Sequence, residues 1–209
     1  MGVKAIIFDW GDVLSRTLVF DVLKETSERF GIPEGEILRA YIATAPAYER
    51  GSISSSQFVE DFLSALGDWR NFDPDRVLEL PLRSWTEPDP TMIAVVRQAR
   101  QKYKTALLSN NIQDVVEEIR KKLPLDALFD VTVFSNEVGM RKPEPEIYTL
   151  CLDRLGVAPE EAVFIDNHES MCEGAQAVGL KALHFTGREK LLRDLSRLGV
   201  ELPVTHSDC

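Results

Sequence analysis

Residues 3–14 read VKAIIFDWGDVL. An apolar run broken only by Lys4 leads straight into Asp9. The run is continuous rather than alternating, which is the pattern of a strand covered on both faces, where neither side meets water. Four further runs share it, at residues 105–108, 131–134, 162–165 and 181–185. Helical stripes lie between and after them. Met92, Val95, Val96 and Ala99 fall on one face, as do Val115, Val116, Ile119 and Leu123. Ile147, Leu150, Cys151 and Leu155 form a third stripe, and Leu191, Leu192, Leu195 and Leu198 a fourth. Strands alternating with helices predict an α/β fold, a parallel sheet sandwiched by helices.

Residues 15–87 interrupt this alternation, because they contain no convincing strand. Phe20, Leu23, Ser27 and Phe30 share a helical face, and Gly31-Ile32-Pro33 ends that helix. Ile37, Ala40 and Tyr41 mark a second helix. Ser54 to Ser56 precede a third, striped by Phe58, Phe62 and Leu66, and Val77, Leu78 and Leu82 suggest a short fourth. The expected organisation is an α/β body of residues 1–14 and 88–209, with a helical module over 15–87 inserted after the first strand.

The chain has 209 residues, 44% hydrophobic and 28% charged, enough apolar side chain for a core and no sign of disorder. Its 34 acidic and 24 basic residues give a net charge of −10, which does not attract nucleic acid or anionic lipid. Cys151, Cys172 and Cys209 are widely spaced and form no CxxC pair, so neither a disulfide framework nor a structural zinc site is expected. The first residues are too short an apolar run for a signal peptide or membrane span, and Ile6 and the tail HSDC fit no lipidation motif. These features predict a soluble cytoplasmic protein. Both a monomer and a homodimer are compatible with them.

In open parallel sheets, ligands bind beyond the carboxyl ends of the strands. The polar residues at those ends are Asp9, Gly11 and Asp12 after the first strand and Ser109, Asn110 and Asn111 after the second. Arg141 and Lys142 follow the third, and Asp166, Asn167 and His168 the fourth. A carboxylate can attack phosphorus, but an anion approaching an anionic phosphoryl group needs its charge neutralised. Asp9 and Asp166 can offer hard oxygen ligands to Mg²⁺. A lysine and a hydroxyl, Lys142 and Ser109, can then hold the phosphoryl oxygens, with Asn110 beside them.

Four stretches in order, IIFDWGDVL, ALLSNN, GMRKPEPEIY and VFIDNHESMCEGA, resemble the motifs of the haloacid dehalogenase-like hydrolases. The resemblance implies a Rossmann-like core with a helical cap inserted after the first motif, Mg²⁺, and hydrolysis of a small phosphate ester through a phospho-aspartate. By it Asp9 is the nucleophile, Ser109 the phosphate-binding hydroxyl, Lys142 the lysine of the third motif and Asp166 a metal ligand. The backbone carbonyl of Gly11 would also face the metal. Asn167 would orient Asp166 or a metal-bound water.

The chain also departs from the pattern. Many family phosphatases carry, two residues after the nucleophile, an Asp that protonates the leaving group. Here that position is Gly11, and Asp12 stands where a glycine is usual. Asp12 reads equally as a substitute acid, a supporting group or a turn residue. A similar glycine occurs in a branch resembling α-glucose-1-phosphate phosphatases, so a sugar phosphate is the expected substrate. Two alternatives stand beside this. One is a metal-independent 2-haloacid dehalogenase, a branch that usually has a serine-type residue in place of Asp166. The other is a binding protein on a decayed scaffold, suggested by Gly11 and Met171. Trp10 is read as filler beneath the cap hinge, Cys172 as core and His168 as a surface or hydrogen-bonded residue beside the metal motif. Arg16, Thr17, Tyr48, Glu49 and Arg50 are the module residues expected to face the substrate.

Overall fold

The computed structural model describes residues 2–16, 19–67 and 77–203, with the side chains of 19–21, 80, 81 and 84 excepted. Five parallel strands form one sheet: β1 (Ala5–Phe8), β2 (Lys104–Ser109), β3 (Val131–Phe134), β4 (Ala162–Asp166) and β5 (Lys181–His184). Their spatial order is β3-β2-β1-β4-β5. The order reverses beside β1, and ligand crevices of such sheets open at that reversal.

Alternate residues of the central strands feed two apolar layers, which is why their sequences run apolar without a break. Ile6, Phe8, Leu107, Val163 and Ile165 face one layer, packed against α5 (Pro90–Ala99), α6 (Gln113–Lys122) and α11 (Arg188–Arg197). Ala5, Ile7, Ala106, Leu108 and Phe164 face the other, with α9 (Pro145–Leu155) and α10 (Glu169–Ala177). Two four-residue helices, α7 (Leu125–Leu128) and α8 (Ser135–Val138), flank β3. Asp89 caps α5 by accepting from the Thr91 N–H at 2.8 Å, with Pro90 in the first turn.

Between β1 and α5 lie α1 (Val19–Phe30), α2 (Glu34–Glu49), α3 (Ser55–Leu66) and α4 (Glu79–Trp85). The expected helices are therefore present over 15–87, and no strand is described there beyond the single bridge of Ser15 to Pro88. Ser54 caps α3 through the Gln57 N–H. Ile37, Phe58 and Phe62 join one apolar cluster with Trp10, Val13, Leu14 and the sheet residue Phe8. These helices thus share a core with the body. Thr17 and Cys209 fall outside the described residues, as does the side chain of Phe20. Among the described residues, no helix is long and apolar enough to cross a membrane.

Candidate active site

The register pairs Phe8 with Ile165. Asp9 and Asp166 each come one residue later, so their carboxylates leave neighbouring strands at one level. Lys142 stands between them. Its Nζ donates to Asp9 Oδ1 at 2.7 Å and to Asp166 Oδ2 at 2.6 Å. All three side chains are buried. Burial pushes the Asp9 carboxyl up to about 7; Lys142 opposes this and Asp166 adds to it. Burial disfavours the Lys142 ammonium, but the two carboxylates outweigh it and hold its pKa above the ordinary lysine value.

The neighbours of this triad fix it from behind. Asn110 Oδ1 accepts the Lys142 N–H at 2.8 Å and its Nδ2 donates to the Lys142 carbonyl at 2.9 Å. The amide expected to meet phosphate therefore grips the lysine's backbone. Asp166 Oδ1 accepts the His168 N–H at 2.9 Å, which turns the chain into α10 and orients the carboxylate. A Cβ on Gly174 of α10 would lie 2.8 Å from the Pro143 carbonyl oxygen, so the bare glycine lets α10 press against the residue after Lys142. Ser109 ends β2, buried, with a long 3.4 Å contact to the Asn110 carbonyl.

Asp12 has φ +53°, a left-handed conformation that glycine adopts at no cost and Asp tolerates better than most residues. The turn's geometry explains why a glycine suits this position. The Asp12 side chain is directed to Asn167, whose Nδ2 lies 3.4 Å from its Oδ2. Asn167 Oδ1 is buried without a hydrogen-bond partner, an acceptor beside the carboxylates that lacks a donor.

These groups floor a cavity of about 590 Å³. Its walls come from Trp10, from Leu38, Tyr41, Ile42 and Glu49 of α2, and from Trp85 of α4. Trp10 is fully buried and its indole N–H donates to the Trp85 carbonyl, tying the strand-end turn to α4, as its reading as filler expects. Of the five residues expected to face substrate from the helical module, Glu49 lines the cavity. It pairs with Arg141, whose Nε and Nη2 reach its Oε2 at 3.0 and 2.8 Å. Tyr48 does not line it: one helical step away, it is buried, donates to Asp114 and shares a further hydrogen bond with the Ser55 hydroxyl, joining α2, α3 and α6. Arg50 pairs with Glu144, and Arg16 sits exposed 4.0 Å from Asp89. His168 is exposed at the rim. Cys172 is core, its thiol pushed up to about 11 by burial.

Sequence reasoning missed Leu38, Ile42 and Trp85 as walls and placed Tyr41 only on a core stripe. A signal existed. α2 carries more apolar residues than one stripe needs, and the surplus pair Leu38 and Ile42 is spaced i, i+4.

A sequence model of the haloacid dehalogenase-like hydrolases matches residues 3–179. The chain belongs to that family. It is 32% identical over 187 residues to a phosphorylated carbohydrates phosphatase of Thermotoga maritima, covering 87% of this chain and 84% of the relative. A phosphatase of Mycobacterium tuberculosis is 27% identical over 216 residues, covering 97% and 98% of the two chains. A haloacid dehalogenase-family enzyme of Bacteroides thetaiotaomicron, solved as a magnesium complex, superposes with a TM-score of 0.78 at 23% identity, covering 92% of this chain and all of that one. That likeness is one of fold, and it agrees with the sheet order and flanking helices of this haloacid dehalogenase-like hydrolase.

Proposed function

We propose that this hydrolase is a magnesium-dependent phosphatase of small phosphate monoesters, with Asp9 as nucleophile. The observation that carries the reading is the pair of buried carboxylates sharing one ammonium at the floor of the cavity. Asp9 and Asp166 already converge on a single cation, so their spacing suits a shared metal ion. Among the described residues no third His, Cys, Asp or Glu joins a metal cluster. That donor set fits Mg²⁺, which takes one or two carboxylates and fills its remaining positions with carbonyl, water and phosphate oxygens. The orphaned Asn167 Oδ1 fits the same site, since a metal-bound water would supply its missing donor. Asp9, Asp166 and the Gly11 carbonyl would hold the ion. Bound there, Mg²⁺ supplies positive charge beside the phosphoryl oxygens.

The chain's own groups perform the rest. An Asp9 carboxylate oxygen attacks phosphorus, the ester P–O bond breaks, and its electron pair leaves with the ester oxygen. Lys142 and Ser109 bind the phosphoryl oxygens on which charge accumulates. Water then attacks the phosphorus of the acyl phosphate, releasing inorganic phosphate and restoring Asp9. Asp166 supports this reading over dehalogenase chemistry, because a carboxylate at that position suits a metal. The helices of residues 15–87 act as the cap over a body of 1–14 and 88–209, since α2 and α4 roof the cavity. The Thermotoga relative's name supports sugar phosphates being among the esters cleaved. The net charge of −10 suits a cytoplasmic enzyme working on a small ester rather than on nucleic acid or membrane.

Steady-state assays on a panel of phosphate esters test the proposal. Asp9→Asn, and EDTA on the wild type, are each expected to abolish turnover, with the fold kept as judged by circular dichroism. Full activity in EDTA would end the metal-dependent reading.

A further inference from the structure

Resting on the phosphatase reading, we infer that the substrate's leaving group is a flat apolar ring, so that the enzyme acts on aryl phosphates in preference to sugar phosphates. Two independent observations lead there. The first is the wall. Tyr41 and Trp85 present tilted rings with centroids 5.5 Å apart. Leu38 and Ile42 extend that surface along α2 and remain 42% and 62% exposed, the large hydrophobic side chains left uncovered among the described residues. Covering such surface is favourable at about 25 cal/mol per Å².

The side chains of Leu38 and Ile42 offer no polar atom, and several of the polar groups lining the cavity with them are engaged with one another, while Asn167 Oδ1 on the floor keeps an open acceptor position. Asp9 and Asp166 hold Lys142, Asn110 holds the Lys142 backbone, and Glu49 is paired with Arg141. A sugar ring seated against Leu38 and Ile42 would lose water from its hydroxyls without gaining partners from those two side chains, and each group left unpaired weakens binding. A planar ring loses nothing of the kind.

The second observation is Gly11. Gly11 carries no side chain that could protonate the departing oxygen, and Asp12, which also lines the cavity, is placed by its left-handed backbone with one carboxylate oxygen toward Asn167. When Asp9 attacks, the electron pair of the broken P–O bond stays on the ester oxygen, and the proton comes from solvent afterwards. A phenol has a pKa of about 10, so its anion departs readily. A sugar hydroxyl is a much weaker acid than a phenol, and its anion departs poorly without an acid. The wall and the missing acid therefore select the same ester.

The test measures kcat/KM with Mg²⁺ for phenyl phosphate, a series of ring-substituted phenyl phosphates, n-hexyl phosphate and glucose 6-phosphate. Phenyl phosphate is expected to exceed both of the last two by about tenfold or more. Across the ring series, log kcat/KM should fall as the phenol pKa rises. Glucose 6-phosphate or hexyl phosphate matching phenyl phosphate would overturn the inference, and so would a flat ring series, which means an acid assists departure. If esters are cleaved with Mg²⁺ yet show no aryl preference, the phosphatase reading survives and this inference falls. If none is cleaved, both fall. Binding is separated from chemistry by inert competitors: benzylphosphonate should inhibit at a Ki about tenfold below that of methylphosphonate. Ile42→Ser, a helix-surface change that leaves the core intact, should cut that Ki difference about fivefold. An unchanged difference in a folded Ile42→Ser protein would remove the wall from the argument.

Discussion

Lys142 joins two carboxylates that would otherwise repel one another in a water-poor floor, and this arrangement has a cost that can be measured. The Asp9 value in the folded chain, about 7, lies above the unfolded carboxyl value of 3.8. Folding therefore favours protonated Asp9. The resulting stability is complete below about 3.8 and is lost as pH rises through 7. In EDTA at pH 8, Asp9→Asn is expected to melt a few degrees above wild type, with the gap narrowing as pH falls below 7. Thermal melts across pH check this; a lower melting point for Asp9→Asn at pH 8 would contradict it. At this scale, Asp9, Lys142 and Asp166 were legible because they follow strand ends that the sheet brings together. Asn110 was not: an amide serves a phosphate or a backbone equally well, and only the packed loop shows that it grips Lys142. The glycine habit of position 12 became intelligible only from its positive φ.

Two glycines decide how elements meet at the site. A Cβ on Gly174 would strike the Pro143 carbonyl oxygen at 2.8 Å, backbone that cannot swing aside. Gly174→Ala is expected to shift the Lys142 segment, and a displacement near 1 Å costs about 10²-fold in kcat. The check is steady-state kinetics beside a melt; unchanged kcat would show that α10 does not set the lysine. Gly51, with φ +66°, brings the turn between α2 and α3 against Asn136, where a Cβ would lie 2.3 Å from the carbonyl oxygen. Gly51→Ala combines that clash with an unfavourable backbone and should destabilise by about 1–3 kcal/mol in urea unfolding. No change would mean that the turn does not pack as described. The strands and most helices were legible at this scale from period alone. α10 was not, since Cys172 and Ala175 are its buried residues and so short a stripe gives little periodicity. The role of α2 was half legible, its inner stripe being plain while Leu38 and Ile42 look like surplus until the cavity appears.

For the molecule as a whole, the sheet's reversal beside β1 puts two acidic residues from distant parts of the chain on one crevice. A chain of net charge −10 thus keeps a cationic point, Lys142, where an anionic ester would enter. Binding of Mg²⁺ to the folded state should raise the melting temperature through mass action, by about 2.7 kcal/mol at a hundred times its Kd. Asp166→Asn should abolish most of that shift in a thermal titration, and a shift that persists would place the ion elsewhere. The fold class follows from the order of apolar runs, whereas the shared apolar cluster of helices and sheet does not, because sequence periodicity reports which face is buried and not what covers it. The most direct test of the central claim is to quench the enzyme with acid during turnover of a phosphate ester and map the phosphorylated peptide by mass spectrometry. A phosphoryl group on Asp9, absent from Asp9→Asn, is the predicted result; a phosphoryl group on any other residue would contradict it.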